Sequence, residues 1–243
     1  MNKSLLTVSV AVAFASFTSC RLNVLKGEGK QITATPAVAS FNALDIDVSL
    51  KAAIHVAPGA QPGVQLKSYG NILQHIKTKI ENNTLRIYSD LDETWTINDD
   101  DITAEITMPA ISGLSLSGSP DAAITGNVTG SSFKIDISGS SDVVVDNLNV
   151  DNFSVVVAGA GDIQVKGGAV KHATYEIDGA GDIKAFPLQT DETSATISGA
   201  GTSNVTALHQ LTANINGAGT IKYKGHPSIT REVSGVGTVS DAN

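Results

Sequence analysis

Phe153 to Val165 reads FSVVVAGAGDIQV, and the direction of its side chains decides the fold. Phe153, Val155, Val157, Gly159, Gly161, Ile163 and Val165 are odd-numbered and apolar or glycine. Their even neighbours Ser154, Ala158, Ala160, Asp162 and Gln164 are small or polar, with Val156 the exception. Alternation with period two marks extended chain with one face buried. The register recurs at Tyr175, Ile177, Gly179, Gly181, Ile183 and Ala185, and again at Ala213, Ile215, Gly217, Gly219, Ile221 and Tyr223. Two glycines per copy therefore fall on the inward face, where the strand must bend. The expected reasons are that an inward side chain would strike the opposite wall and that a tight corner often needs φ > 0.

The pattern repeats along the second half of the chain. Gly-x-Gly or a close variant begins at Gly118, Gly139, Gly159, Gly179, Gly199, Gly217 and Gly235, in steps of 21, 20, 20, 20, 18 and 18 residues. The second glycines are Gly161, Gly181, Gly201, Gly219 and Gly237. A near-constant period of about 20 is the mark of a solenoid. The fold class expected is all-β, a parallel β-helix whose coils of about 18–21 residues stack so that each buries its Ile/Val pair against its neighbours. The 20-residue steps suit a right-handed coil, the handedness expected here, whereas 18-residue steps suit a three-faced left-handed one. Return segments such as Leu148-Asn149-Val150 and Leu208-His209-Gln210-Leu211 are expected to supply the remaining wall.

Residues 41–109 are strand-like without a visible repeat. Leu44, Ile46, Val48, Leu50, Ile54 and Val56 alternate, and Lys51-Ala52 is read as replacing the Gly corner of a degenerate coil. The division expected is a leader at 1–19, a flexible tether at 20–40, irregular first coils or a cap at 41–109, and the regular helix at 110–243. Residues 41–243 would form one continuous unit.

The leader carries the address. Lys3 gives a positive start, and Leu5 to Phe17 is an apolar run of signal-peptide length, too short to span a bilayer. Ala13-Phe14-Ala15 fits an ordinary cleavage site, but Phe17-Thr18-Ser19-Cys20 resembles a bacterial lipobox, and Cys20 is the only cysteine. Lipidation of Cys20 would tether the protein to a membrane without spanning it. One cysteine leaves no internal disulfide to form. Arg21-Leu22-Asn23 has no acidic cluster of the kind expected to send a lipoprotein outward, which favours a periplasm-facing anchor; the address expected is the cell envelope, as an outer-membrane lipoprotein, periplasmic or surface-exposed.

Composition narrows the function classes. Sixteen basic residues stand against 24 acidic ones over the 243 residues, a net charge of −8. This argues against a nucleic-acid surface, which needs clustered Lys and Arg, and against a polybasic membrane patch. Gly reaches 23 while aromatics are scarce.

Phe41-x-x-Leu44, VQLKSYGNILQHIKTKIENNTLRIYSD (64–90), ITMPAISGLSLSGSPDAAI (106–124) and the Gly-x-Gly-Asp-Ile repeats resemble the putative auto-transporter adhesin, head GIN-domain family. The resemblance covers about residues 40 to 240. It implies a β-helix, pectin-lyase-like in outline, with Gly corners between sheets. It also implies a role in cell adhesion, and kinship with trimeric adhesin heads that would make this chain a homo-oligomer. The last copies depart from the pattern by placing Thr after the second Gly. The family brings no catalytic set, and no cofactor is expected.

Candidate chemistry lies on the outward side. Three residues past each first Gly stands a column of Asp121, Asp142, Asp162 and Asp182, continued by Thr202, Thr220 and Thr238. Stacked carboxylates suggest Ca²⁺ between rungs. The alternative, favoured because Thr replaces Asp in three copies, is that these side chains accept hydrogen bonds from backbone N–H groups at the corner. Asp182 and Lys184, with Asp162 and Asp178 nearby, are what a polysaccharide lyase would want, but no long loop builds a cleft around them. The five histidines share no repeat position, and there is no Gly-x-Ser-x-Gly elbow. Asp90 to Asp101 gathers six acids around the only tryptophan, Trp95. A sugar-stacking Trp beside Ca²⁺ is the sharp reading, and a solvated loop with Trp95 packed on a strand the preferred one. The function expected is thus a non-catalytic, adhesin-like envelope lipoprotein contacting glycans or proteins. A carbohydrate-active β-helix enzyme and a periplasmic structural lipoprotein are the alternatives.

Overall fold

The computed structural model describes residues 23–92, 94–98 and 101–243. Position 20 and the leader lie outside the described residues. The chain is an all-β solenoid built from stacked parallel coils.

Two faces run its length. The first stacks, in spatial order, Thr84–Ser89, Ala43–Asp47, Gly113–Ser117 and the second halves of Asp121–Ile137 and Val143–Val157. It continues through Gly168–Ile177, Leu188–Ile197, Gln210–Ile215 and Ser228–Val233. The second face stacks Thr103–Met108, Lys51–Val56, the first halves of the same two long strands, Ile163–Val165, Ala180–Lys184, Ala200–Thr206, Ala218–Lys224 and Val236–Asp241. All these pairings are parallel. Parity is kept throughout, so like stacks on like: Leu85, Leu44, Leu114, Ile135 and Val155 form one buried column, and Ile87, Ile46, Leu116, Ile137, Val157, Ile177, Ile197 and Ile215 another. Phe133 lies parallel over Phe153 with centroids 5.9 Å apart, and Phe153 meets Tyr175 edge-on at the same distance.

A third face exists only in the middle coils, at residues 127–130, 147–150, 168–170 and 188–190. The 18-residue coils are too short to continue it, so of the expected wall Leu208 to Leu211 only Gln210 and Leu211 are strand, and they open the first-face strand Gln210–Ile215. Leu208 instead sits in a turn, 41% exposed. Buried hydroxyls finish the face. Thr190 Oγ1 donates to the carbonyl of Thr206, Thr206 Oγ1 donates to the carbonyl of Phe186 at 2.7 Å, and the Leu208 N–H donates to the Thr190 carbonyl at 2.8 Å.

The N-terminal region departs from the sequence expectation in three ways. The coil first in sequence, Ala43–Asp47 with Lys51–Val56, is not first in space. It is sandwiched between the coil of Thr84–Ser89 and Thr103–Met108 on one side and that of Gly113–Ser117 on the other. The antiparallel strands Ile76–Glu81 and Gly63–Tyr69 then cover that end. The corner of the degenerate coil is Val48-Ser49-Leu50, because Lys51 is in register with Asp121, past the bend. The segment expected to be a flexible tether contributes Asn23–Lys26, parallel to Trp95–Asn98, and Gln31–Ala34, antiparallel to Gly63–Tyr69. Its glycines hid this: Gly27 lies so close to the Tyr69 ring that a Cβ would come within 2.1 Å of it.

Candidate functional site

The glycine corners come first, because they hold the outward residues in rows. A Cβ at Gly159 would lie 1.9 Å from the carbonyl oxygen of Gly139, and one at Gly179 or Gly199 would meet the preceding coil's Gly carbonyl at the same distance. The obstacle is thus the neighbouring coil's backbone, not the opposite wall. Left-handed backbone is the exception as well, Gly118 with φ 76° being the corner that shows it clearly. Gly139, Gly217, Gly235 and the second glycines Gly161, Gly181, Gly201, Gly219 and Gly237 are crowded by the same neighbouring backbone.

That close stacking brings the aspartate column together. Asp121 Oδ1 accepts the backbone N–H of Asp142 at 3.0 Å, Asp142 that of Asp162 at 3.1 Å, Asp162 that of Asp182 at 3.0 Å, and Asp182 that of Thr202 at 2.9 Å. Each carboxylate therefore serves the coil above it, standing in for a main-chain acceptor where the ladder turns the corner. Lys51 heads the row, in register with Asp121. Lys184 Nζ donates to Asp162 Oδ2 at 2.5 Å, and this bond raises the Lys184 pKa above the ordinary lysine value. Asp178 follows the end of its strand on the other side of the Gly corner.

The histidines scatter. His75 Nδ1 lies 2.9 Å from Asp90, His172 Nδ1 3.0 Å from Glu192, and His55 Nδ1 2.8 Å from the Thr125 hydroxyl. Among the described residues no three His, Cys, Asp or Glu side chains converge as a metal site would require. In the acidic segment, Asp90 also pairs with Lys77 at 3.2 Å, and the His75 bond lowers its pKa. Asp92 Oδ1 accepts both the N–H and the hydroxyl of Thr94. Trp95 opens a strand and is 41% exposed.

A groove of about 320 Å³ lies where the third face turns into the first. Its walls are two outward rows at coil spacing, Asn149–Ala169–Gln189 and Asp151–Lys171–Asp191. Ala169 is the shortest member of its row and leaves the hollow. Leu208 closes one end, exposed because the third face stops there. Lys171 Nζ lies 2.6 Å from Asp151 Oδ1, and its pKa is raised, by that hydrogen bond first and by charge attraction to Asp151 and Asp191 as well. The groove thus offers the Gln189 amide, carboxylates that accept and one ammonium, while the Asn149 amide already donates to Asn127 at 2.6 Å and accepts the Ala169 N–H at 3.3 Å. Sequence reasoning missed it. The signal was there in Asn149, Ala169 and Gln189, spaced by 20 with a small residue between two amides, and in an outward Leu208 where the period shortens.

A family model described as "Putative auto-transporter adhesin, head GIN domain" matches residues 40–227. No curated protein matches the chain. Among solved structures, one described as a putative adhesin, from Bacteroides fragilis, superimposes with a TM-score of 0.85 at 26% identity, covering 90% of this chain and 100% of its own. A putative adhesin from Parabacteroides merdae gives 0.69 at 22% identity, over 91% of this chain and 100% of its own. A structure described as a putative lipid binding protein, from Parabacteroides distasonis, gives 0.70 at 22% with the same coverages.

Proposed function

The chain belongs to the putative auto-transporter adhesin, head GIN-domain family, and from that premise we propose that it is a non-catalytic binding module of the bacterial cell envelope. In this proposal a lipid on Cys20 tethers it to the outer membrane, and the groove beside Lys171 contacts glycans. The observation that carries the proposal is the groove itself. Its volume of about 320 Å³ falls at the small end of ligand sites, roughly 300–1,000 Å³. Asn149, Gln189, Asp151 and Asp191 present the planar donors and acceptors that match the hydroxyls of a sugar, and Lys171 adds a cation for an acidic one.

The enzyme reading has less support. A lyase needs a proton acceptor, and Lys184 is held in its charged form by Asp162. The aspartates that would have held an ion instead accept neighbouring backbone N–H groups.

Two experiments test the proposal. Protease shaving of intact cells, followed with an antibody to the Gly-repeat region, separates a surface address from a periplasmic one. Binding to immobilised glycans is then compared between the native chain and Ala169→Tyr, which fills the hollow that Ala169 leaves in the wall. Retention on at least one glycan class, lost in the variant at unchanged Tm, is the expected result. Equal retention by both proteins would remove the groove from the proposal.

A further inference from the structure

The N-terminal end of the solenoid carries an exposed tryptophan next to the point where the proposed anchor enters. We infer that this end, centred on Trp95, rests in the headgroup region of the bilayer to which Cys20 attaches the chain. The inference builds on the lipidation proposed above.

Geometry supplies the first argument. The Asn23 N–H donates to the Thr94 carbonyl at 2.7 Å, and Asn23 stands in register with Trp95 in the parallel pair that runs to Lys26 and Asn98. Two residues, Arg21 and Leu22, separate Asn23 from Cys20, three residue steps with a reach of about 10 Å when extended. With one strand spacing added between Asn23 and Trp95, a lipid on Cys20 would put the membrane surface within about 15 Å of Trp95.

The surface there suits a membrane interface. Trp95 is 41% exposed, Val24 47% and Ile32 51%. Among the described residues these three are the exposed large apolar side chains of this end. Tryptophan combines an apolar ring with one N–H donor and concentrates at the headgroup level of bilayers. Lys26 and Lys30 are exposed on the same segment and can meet lipid phosphates. Of the described acids nearby, Asp90 is engaged by His75 and Lys77, Asp92 by Thr94 and Asp101 by Gln31, while exposed Glu28 stands between Lys26 and Lys30 and offsets part of their charge.

The end is also held firmly enough to transmit an orientation. Leu25 and Ile97 are half-buried against the core. Asn71 clamps the entering strand twice, accepting the Glu28 N–H at 3.0 Å and donating to the Lys26 carbonyl at 2.7 Å. One acyl chain alone gives only marginal, reversible membrane binding, so a second contact through Trp95 would matter most where acylation is incomplete. Seated this way, the coil of Thr84–Ser89 and Thr103–Met108 is the one nearest the membrane. The coil of Ser228–Val233 and Val236–Asp241 is the farthest from it.

Trp95 is the only tryptophan in the chain, so its fluorescence reports this contact without mutation. The acylated full-length protein is reconstituted into phosphatidylcholine–phosphatidylethanolamine vesicles carrying bromine either high or low on the acyl chain. The expected result is a blue-shifted emission, quenched at least about twofold more by the shallow bromine than by the deep one. The Cys20→Ser protein in buffer supplies the unshifted spectrum. Emission identical to that spectrum and unquenched, with the acyl mass present on the Cys20 peptide, would overturn the seating and leave the anchor standing. A Cys20 peptide without acyl mass would overturn both.

Discussion

A stacked glycine is an unforgiving residue for a different reason from a turn glycine, and the two can be separated by mutation. Gly159→Ala would drive a Cβ to 1.9 Å from the Gly139 carbonyl oxygen, so the two coils must part and their ladder stretch. A loss of about 2–4 kcal/mol is expected. Gly118→Ala meets no atom within 4 Å but must hold φ near 76°, costing about 1–2 kcal/mol. Gly63→Ala, with open space and ordinary φ, should be neutral or stabilising by about 0.5 kcal/mol. Urea unfolding orders the three. If Gly118→Ala proved the costliest, backbone conformation and not crowding would govern the corners. Tyr175 is the second residue-scale test. Its hydroxyl is buried with no partner among the described residues, and burial pushes its pKa up. A raised folded pKa means stability that is complete below the ordinary tyrosine value and lost as pH rises through the folded one. Tyr175→Phe should remove that alkaline loss, and at neutral pH should be neutral or stabilise by up to about 1 kcal/mol. A native-like fall in Tm above pH 10 in the variant would assign the loss elsewhere.

At the scale of the element, the aspartate ladder does two opposed things. Each carboxylate satisfies the next coil's N–H, yet the four stand in one row with Lys51 at its head and Lys184 bonded to Asp162. Asp162→Asn keeps an oxygen for the Asp182 N–H and removes a charge from the row. Asp162→Ala removes the acceptor and should cost about 1 kcal/mol. The asparagine variant gives up the Lys184 ion pair along with the repulsion, so it should stay within about 0.5 kcal/mol of native stability and show little dependence on salt. Equal losses for both would mean that charge, not acceptance, is what the column supplies. The contrast shows what the sequence could disclose. Parity exposed the two buried faces, because Phe153 to Val165 repeats its alternation wherever a coil repeats. It also named the column and the hydrogen-bonding chemistry of Asp121, Asp142, Asp162 and Asp182, whereas at Thr202 and Thr220 the main-chain ladder itself runs through the row. It could not show that the N–H belongs to the coil above, since local spacing carries no information about the partner 20 residues away. The third face escaped for a related reason. It ends where Thr190 and Thr206 satisfy each other's neighbourhood, a contact between residues of different coils with no sequence period of their own. The groove was lost with it.

For the whole molecule the problem is ends, since a solenoid leaves one open ladder at each. The N-terminal end is covered by Ile76–Glu81 and Gly63–Tyr69, both antiparallel to the outermost coil. Among the described residues the C-terminal coil has no such cover. Ser228–Val233 is exposed at every position, and Ile229, Val233 and Val236 show 40%, 43% and 82% of their surface. Arg231 stands in the column that carries Leu85, Leu44, Leu114, Ile135, Val155, Tyr175, Ala195 and Ala213 in the coils before it. An inward-pointing charge on an edge strand is a known way to stop a sheet from extending into another molecule. Another coil docked on Ser228–Val233 would bury the Arg231 guanidinium against apolar side chains, whereas in the free end its head reaches water. Arg231→Leu should thus turn Ile229, residue 231 and Val233 into a continuous apolar stripe on an open edge. Sedimentation should then show a mass that rises with concentration and resists added salt. Adding Ile229→Lys to that variant should restore the native profile, because one inward charge is enough to forbid the pairing. A variant that sediments like the native chain would mean that the edge is guarded by something other than Arg231.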